Sequence, residues 1–95
     1  MMAVRFTGEL SSGHKEPAIE LPFDPTERWK LASERLWKGR RGHRVTGRLN
    51  GVPYESAVVA RRGRYYLLVT PAMKRAADLR VGDMATVSVR PAKDV

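Results

Sequence analysis

Between Arg35 and Arg64 the chain carries nine cationic side chains, Arg35, Lys38, Arg40, Arg41, Arg44, Arg48, Arg61, Arg62 and Arg64, against a single carboxylate, Glu55. Guanidinium groups at this density can hold carboxylate or phosphate through paired N–H donors. The flanks nearly cancel, because residues 1–34 hold four cations and six carboxylates while residues 65–95 hold five and three. The whole formal charge of +8 therefore resides in the middle third of the chain. Nucleic acid, anionic lipid or an acidic partner would each be attracted to such a concentration. Arginine outnumbers lysine thirteen to five, a bias that GC-rich coding produces without any function, so solvated surface is the competing reading.

Other chemistry is poorly supplied. His14 and His43 fall in a predicted loop and at a strand end, with no carboxylate spaced to orient either ring for proton transfer. Glu16 with Glu20, and Asp24 with Glu27, read as solvated strand residues and as a helix start. The absence of cysteine excludes a disulfide framework, a thiolate zinc site and a cysteine nucleophile. No His/Asp/Glu cluster has metal-ligand spacing, and GRRG at 39–42 lacks the strand-loop-lysine setting of a phosphate-cradling loop. The expectation is a protein that is not an enzyme and has neither metal nor cofactor.

Ninety-five residues suffice for one domain with one modest core, expected to span 1–95. A hydrophobic content of 42% with 29% charged residues argues for a folded chain. The start, MMAVRFTGEL, does not read as a signal peptide, and no apolar run approaches the ~20 residues of a membrane span. A soluble, cytoplasmic protein without a membrane partner is expected.

The elements that must position the arginines follow from periodicity. Val4–Leu10 alternates as a half-buried strand, SSGHKEP makes a loop, and Ala18–Leu21 forms a second short strand. DPTE starts a helix, with Asp24 capping, Pro25 at the first position and Glu27 reaching back. The pattern predicts this helix over 25–38, with Trp29, Ala32 and Leu36 on its buried face and Gly39 ending it. His43–Leu49 alternates Val45, Gly47 and Leu49 inward and Arg44, Thr46 and Arg48 outward. It leads through Asn50-Gly51, a type I′ hairpin signal, into a return strand over Val52–Ala60. ARRGR turns the chain into the strand Tyr65–Val69, Thr70-Pro71 opens a short helix, RVGD turns again, and Met84–Val89 closes the set. Six short strands with one longer and one short helix favour a small barrel, since closure removes exposed edges.

The stretches VTGRLNGVPYESAVV and GRYYLLVTPAMKRAADLRVGDMATVSV resemble the small bacterial family catalogued as domain of unknown function 1905. The motif positions are Val45, Gly47, Asn50, Gly51, Pro53 and Tyr54 in the hairpin, Tyr66 and Leu68 in the strand, Lys74, Arg75, Ala76 and Ala77 in the helix, and Gly82 and Asp83 at the close. LPFDP at 21–25 is similar to the family's first half. The resemblance implies a mainly β fold, a six-stranded split β-barrel of the AbrB-like double-split type. Related modules occur fused to YdeI/OmpD-associated bacteriocin-protection segments, for which 95 residues leave no room. This chain departs from the pattern in its longer, more basic segment before the hairpin and in the three arginines of VARRGR. The family has no settled activity.

If the hairpin forms as predicted, Arg61, Arg62 and Arg64 sit beside Arg40 and Arg41, and two basic runs build one rim, with Arg44 and Arg48 on one strand face. Trp37, Tyr54, Tyr65 and Tyr66 exceed what so small a core can bury, and Tyr65 and Tyr66 must diverge across their strand. The expected function is binding of a small anionic or aromatic ligand, with protective sequestration as one role it would serve, in an arginine-rimmed cleft lined by Trp37, Tyr54 and Tyr65. The alternatives are a nucleic-acid-binding, AbrB-like module and a homodimeric interaction module. The absence of glutamine, and of a positioned asparagine beside the arginines, weighs against base readout.

Overall fold

A computed structural model describes residues 3–13, 16–37 and 39–92. His14 and Lys38 lie outside the described residues. The elements are β1 (Val4–Ser11), β2 (Ala18–Glu20), α1 (Pro25–Trp29), β3 (Glu34–Trp37), β4 (Arg40–Leu49), β5 (Val52–Arg61), β6 (Arg64–Leu68), α2 (Pro71–Ala76) and β7 (Met84–Pro91). Strands β4, β5, β6, β2, β1 and β7 are hydrogen-bonded in that order, and β7 returns to β4. The six form a closed, antiparallel barrel, and β3 is an extra strand outside the ring.

The long strand β4 makes closure possible by changing partners along one edge. Its first part, at Arg40–Gly42, pairs with β3, whereas Val45–Leu49 pairs with β7. Its other edge pairs with β5 from Gly42 to Leu49. The exchange falls at His43 and Arg44, where the Arg44 carbonyl accepts the Ala92 N–H at 2.9 Å. This bond satisfies the Arg44 carbonyl where β4 passes from one partner to the other.

The interior is the face of each strand that alternation turns inward. The register aligns Val58 with Leu67, Leu67 with Ile19 and Ile19 with Leu10, and all four are 0% exposed. Val45, Leu49, Val87, Val89 and Ala85 complete the core, and Met73 of α2 and Leu79 after it cover one side. Helix α1 covers part of the core with Trp29, in edge contact with Phe23 (5.7 Å) and His43 (5.9 Å).

Helix α1 is much shorter than the 25–38 predicted from the sequence. The expected start holds: Asp24 accepts the Thr26 and Glu27 N–H groups at 2.9 and 3.3 Å. Lys30, however, takes a left-handed conformation (φ 56°) and ends the helix after Trp29. Ala32 is exposed, and Leu36 lies on β3, so the predicted buried stripe does not form. The cause is tertiary, because an isolated helix of this length is marginal and yields to packing. As a strand, residues 34–37 bond the open edge of β4 and press Leu36 onto Ala57 and Val59, an apolar patch outside the barrel. Gly39 still supplies a positive φ of 78°, within the β3–β4 turn.

The two hairpin turns about the motif share a backbone conformation and differ in the residue that opens them. Asn50 (φ 49°) and Gly51 (φ 83°) form the predicted turn, and the Asn50 Oδ1 accepts the Thr86 N–H at 2.9 Å, tying the turn to β7. Between β5 and β6 the same left-handed pair is made by Arg62 (φ 52°) and Gly63 (φ 77°). Helix α2 begins as expected, with the Thr70 hydroxyl accepting the Met73 N–H at 3.2 Å. No helix among the described residues is long and apolar enough to cross a membrane.

Candidate functional site

Antiparallel partners point their side chains to the same face of a sheet. The register Gly42–Val59, Val59–Tyr66 and Tyr66–Glu20 therefore sets one row across four strands on the outer face of the barrel. A neighbouring row holds Arg61 opposite Arg64, and another holds Leu68, Ala18 and Ser11. These rows and the β1–β2 loop enclose a groove of about 690 Å³.

Its floor is apolar, formed by Ala18, Val59, Leu68 and the half-buried ring of Tyr66. Arg40, Arg61, Arg62 and Arg64 line one side, and Ser11, Ser12, Gly13 and Glu16 the other. Gly42 helps to shape this face, because a Cβ there would collide with the Val58 carbonyl oxygen and lie 3.1 Å from the Leu36 Cδ1. Leu36 can then lie against Val59.

The arginines are held loosely. Arg64 meets the Glu20 carboxylate at 3.4 Å, with both side chains largely exposed, a pairing that contributes little in water. Arg40, Arg61 and Arg62 have no hydrogen-bonded or ion-pair partner among the described residues. Three guanidinium groups beside an apolar floor are thus available to an anion. The groove can hold a molecule with a negative end and a flat or apolar body, within the size range of small-molecule sites.

The rim predicted from the sequence is present in part. Arg40 from one basic run and Arg61, Arg62 and Arg64 from the other converge. Arg41 alternates to the opposite face, where its guanidinium donates to the Ser33 carbonyl at 2.9 Å. Arg44 pairs with Glu34 at 3.4 Å and also donates to the Leu36 carbonyl. Arg48 lies at the far end of β4 and donates to the Gly51 carbonyl at 3.3 Å.

The expected aromatic lining is placed differently. Tyr54 is buried inside the barrel, where its hydroxyl donates to the Ser88 carbonyl at 2.8 Å, and burial raises its pKa. Tyr65 also turns inward, packing on the main core, and its hydroxyl donates to the Asp24 carboxylate at 3.2 Å. Trp37 is 44% exposed on β3, paired with Arg40 after a bulge, and is not part of the groove lining. The ring in the groove belongs to Tyr66. Its position was readable from Arg64, two residues earlier on the same strand face: a side chain that must stay wet fixes which tyrosine turns outward.

The remaining motif residues have structural duties. Gly82 (φ 101°) turns the chain before β7, and the Asp83 carboxylate accepts the Arg80 N–H at 2.9 Å. Lys74 and Arg75 lie in the last turn of α2, where cations complement the helix end. His43, read from the sequence as a strand end, is buried beside Trp29 and hydrogen-bonded to the Thr26 hydroxyl at 3.1 Å. Burial lowers its pKa, with the charges of Glu34 and Asp24 opposing that shift. Among the described residues there is no group of three or more His, Cys, Asp or Glu that could hold a metal ion.

No curated protein matches the chain. A family model described as a domain of unknown function (DUF1905) matches residues 6–89, from the first strand to the last and including both basic runs. The chain belongs to this family.

Proposed function

We propose that this protein is a non-catalytic binding module whose outer groove takes a small, planar or apolar anion. The observation that carries this reading is the convergence of Arg40, Arg61 and Arg62, without internal partners, beside the apolar floor of Val59, Tyr66 and Leu68. Guanidinium groups supply attraction and paired donors, and the floor supplies contact area that favours a flat ring. The division of the cations also supports a small ligand over a nucleic-acid tract. Arg41, Arg44 and Arg48 are each engaged with other parts of the chain, which leaves a compact cluster in place of an extended basic stripe.

Thermal-shift and calorimetric titration with planar carboxylates and phosphates tests the reading. A ligand that binds the native state raises its Tm, and Arg61→Glu or Tyr66→Ala should remove the effect while Arg41→Glu keeps it. Failure of every planar anion to bind would reject the proposal. Micromolar binding to random duplex DNA that collapses above ~50 mM salt would favour the nucleic-acid reading instead.

A second reading rests on Trp37, a large exposed aromatic on the strand outside the ring. Such a residue on an open strand edge suits a contact between two copies of the chain. Sedimentation of the protein and of Trp37→Ala tests it, and a monomer at all concentrations would reject it.

A further inference from the structure

The β5–β6 turn breaks two local rules at once. Arg62 takes a left-handed backbone conformation (φ 52°) at the position where the neighbouring β4–β5 turn uses Asn50. For a non-glycine residue other than Asn or Asp this conformation is unfavourable. Arg61 and Arg64 then face each other directly across the hairpin, and like charges in that position destabilise a sheet. Both costs fall on Arg61, Arg62 and Arg64, which line the groove. Local conflicts concentrated in this way mark a functional site more than a folding requirement.

We infer that this turn is a clamp for a dianion, and that the ligand is a phosphomonoester carried on a planar ring. This inference rests on the proposed binding of an anion in the groove. One carboxylate would neutralise only one of the guanidinium groups of Arg61, Arg62 and Arg64, whereas a phosphate monoester brings nearly two charges and three acceptor oxygens. Among the described residues Arg61 and Arg62 have no carboxylate partner, Arg64 is held only loosely by Glu20, and Arg40 adds a further unpartnered guanidinium to the groove, an excess of positive charge that suits a dianion better than a monoanion. Tyr66 lies two residues beyond Arg64 on the same face, and a ring attached to the phosphate would rest on it with Val59 and Leu68 alongside. On the far side, Ser12 and Glu16 can accept hydroxyl or amino hydrogens of that ligand.

Calorimetric titration of the full chain with phenyl phosphate, adenosine 5′-monophosphate, benzoate and inorganic phosphate decides the matter. Phenyl phosphate should bind at least about tenfold more tightly than benzoate or inorganic phosphate, since only it offers both dianion and ring. Tighter binding of adenosine 5′-monophosphate would identify a nucleotide-like source, and equal binding a simple aryl phosphate, each consistent with the clamp. Arg62→Asn should weaken phenyl phosphate about tenfold and yet raise Tm by about 3 °C, because asparagine tolerates the turn. Arg61→Thr should likewise weaken binding without unfolding the chain. Benzoate binding as tightly as phenyl phosphate would overturn the dianion clamp while leaving the anion groove intact. No binding by any of the four would overturn both, and an Arg62→Asn variant with unchanged affinity would overturn the clamp alone.

Discussion

Tyr54 lies opposite Gly47 in the β4–β5 register and reaches past it to donate its hydroxyl to the Ser88 carbonyl, 2.8 Å away on β7. Three strands of the barrel are thus joined by one side chain, and the glycine is what leaves room for it. A Cβ at Gly47 would collide with the Ser88 carbonyl oxygen and lie 3.1 Å from the Tyr54 hydroxyl. Tyr54→Phe should therefore cost about 1 kcal/mol, or about 4–8 °C in Tm. Gly47→Ala should cost more, about 3 kcal/mol, because the obstructing atom is backbone and cannot step aside. Chemical denaturation of both variants checks the order.

Asn50 combines a left-handed backbone with a side-chain bond to the Thr86 N–H at 2.9 Å. Asn50→Gly keeps the turn and loses only that bond, at about 1 kcal/mol. Asn50→Ala loses the bond and adds roughly 1 kcal/mol of backbone strain. Thermal melts should rank the native protein above Asn50→Gly, and Asn50→Ala lowest.

Buried His43 takes up a proton less readily in the folded chain than in the unfolded one, whose reference value is 6.5. As pH falls below 6.5, the unfolded state binds a proton here that the folded state refuses, so stability drops until the lowered folded value is passed. Above 6.5 the ring is neutral in both states and the dependence vanishes. His43→Gln removes this titration. Denaturation between pH 5 and 7.5 should show a shallower fall for the variant, and equal slopes would refute the assignment.

The Asp24 carboxylate caps α1 and also accepts the Tyr65 hydroxyl, so it joins the helix to β6. Asp24→Ala should cost about 1–2 kcal/mol, with Asp24→Asn recovering most of it, since an amide oxygen still caps. Comparison of the two by thermal unfolding measures the share due to charge.

Much of this architecture is legible in the amino-acid order. The alternation of Val4–Leu10 and of Val45–Leu49, the Asn50-Gly51 turn and the Asp24 and Thr70 helix starts all depend on local geometry, and the structure contains them. Residues 30–37 could not be read in the same way, because Trp29, Leu36 and the glycine at 39 also satisfy a helical spacing. Only the apolar patch of Ala57 and Val59, brought beside them by the barrel, decides for a strand. The groove was half legible for a related reason. Hairpin register brings Arg40 towards Arg61 and Arg62, but the serines of β1 and its loop reach the same place through β2, a pairing between segments almost fifty residues apart.

Strand β3 has a consequence for motion. Three cross-strand pairs with β4, the Arg44 contacts to Glu34 and to the Leu36 carbonyl, and the packing of Leu36 hold it to the molecule, and the six-stranded ring is complete without it. It can therefore lift away as a local opening, and its amides should exchange with deuterium well before those of β5 or β6, whose release requires breaking the ring. When Leu36 leaves, the Ala57 and Val59 side chains packed against it are uncovered. Exposure of Val59 and exchange of the β3 amides should therefore rise together, while the cross-strand pairs of the ring itself stay closed.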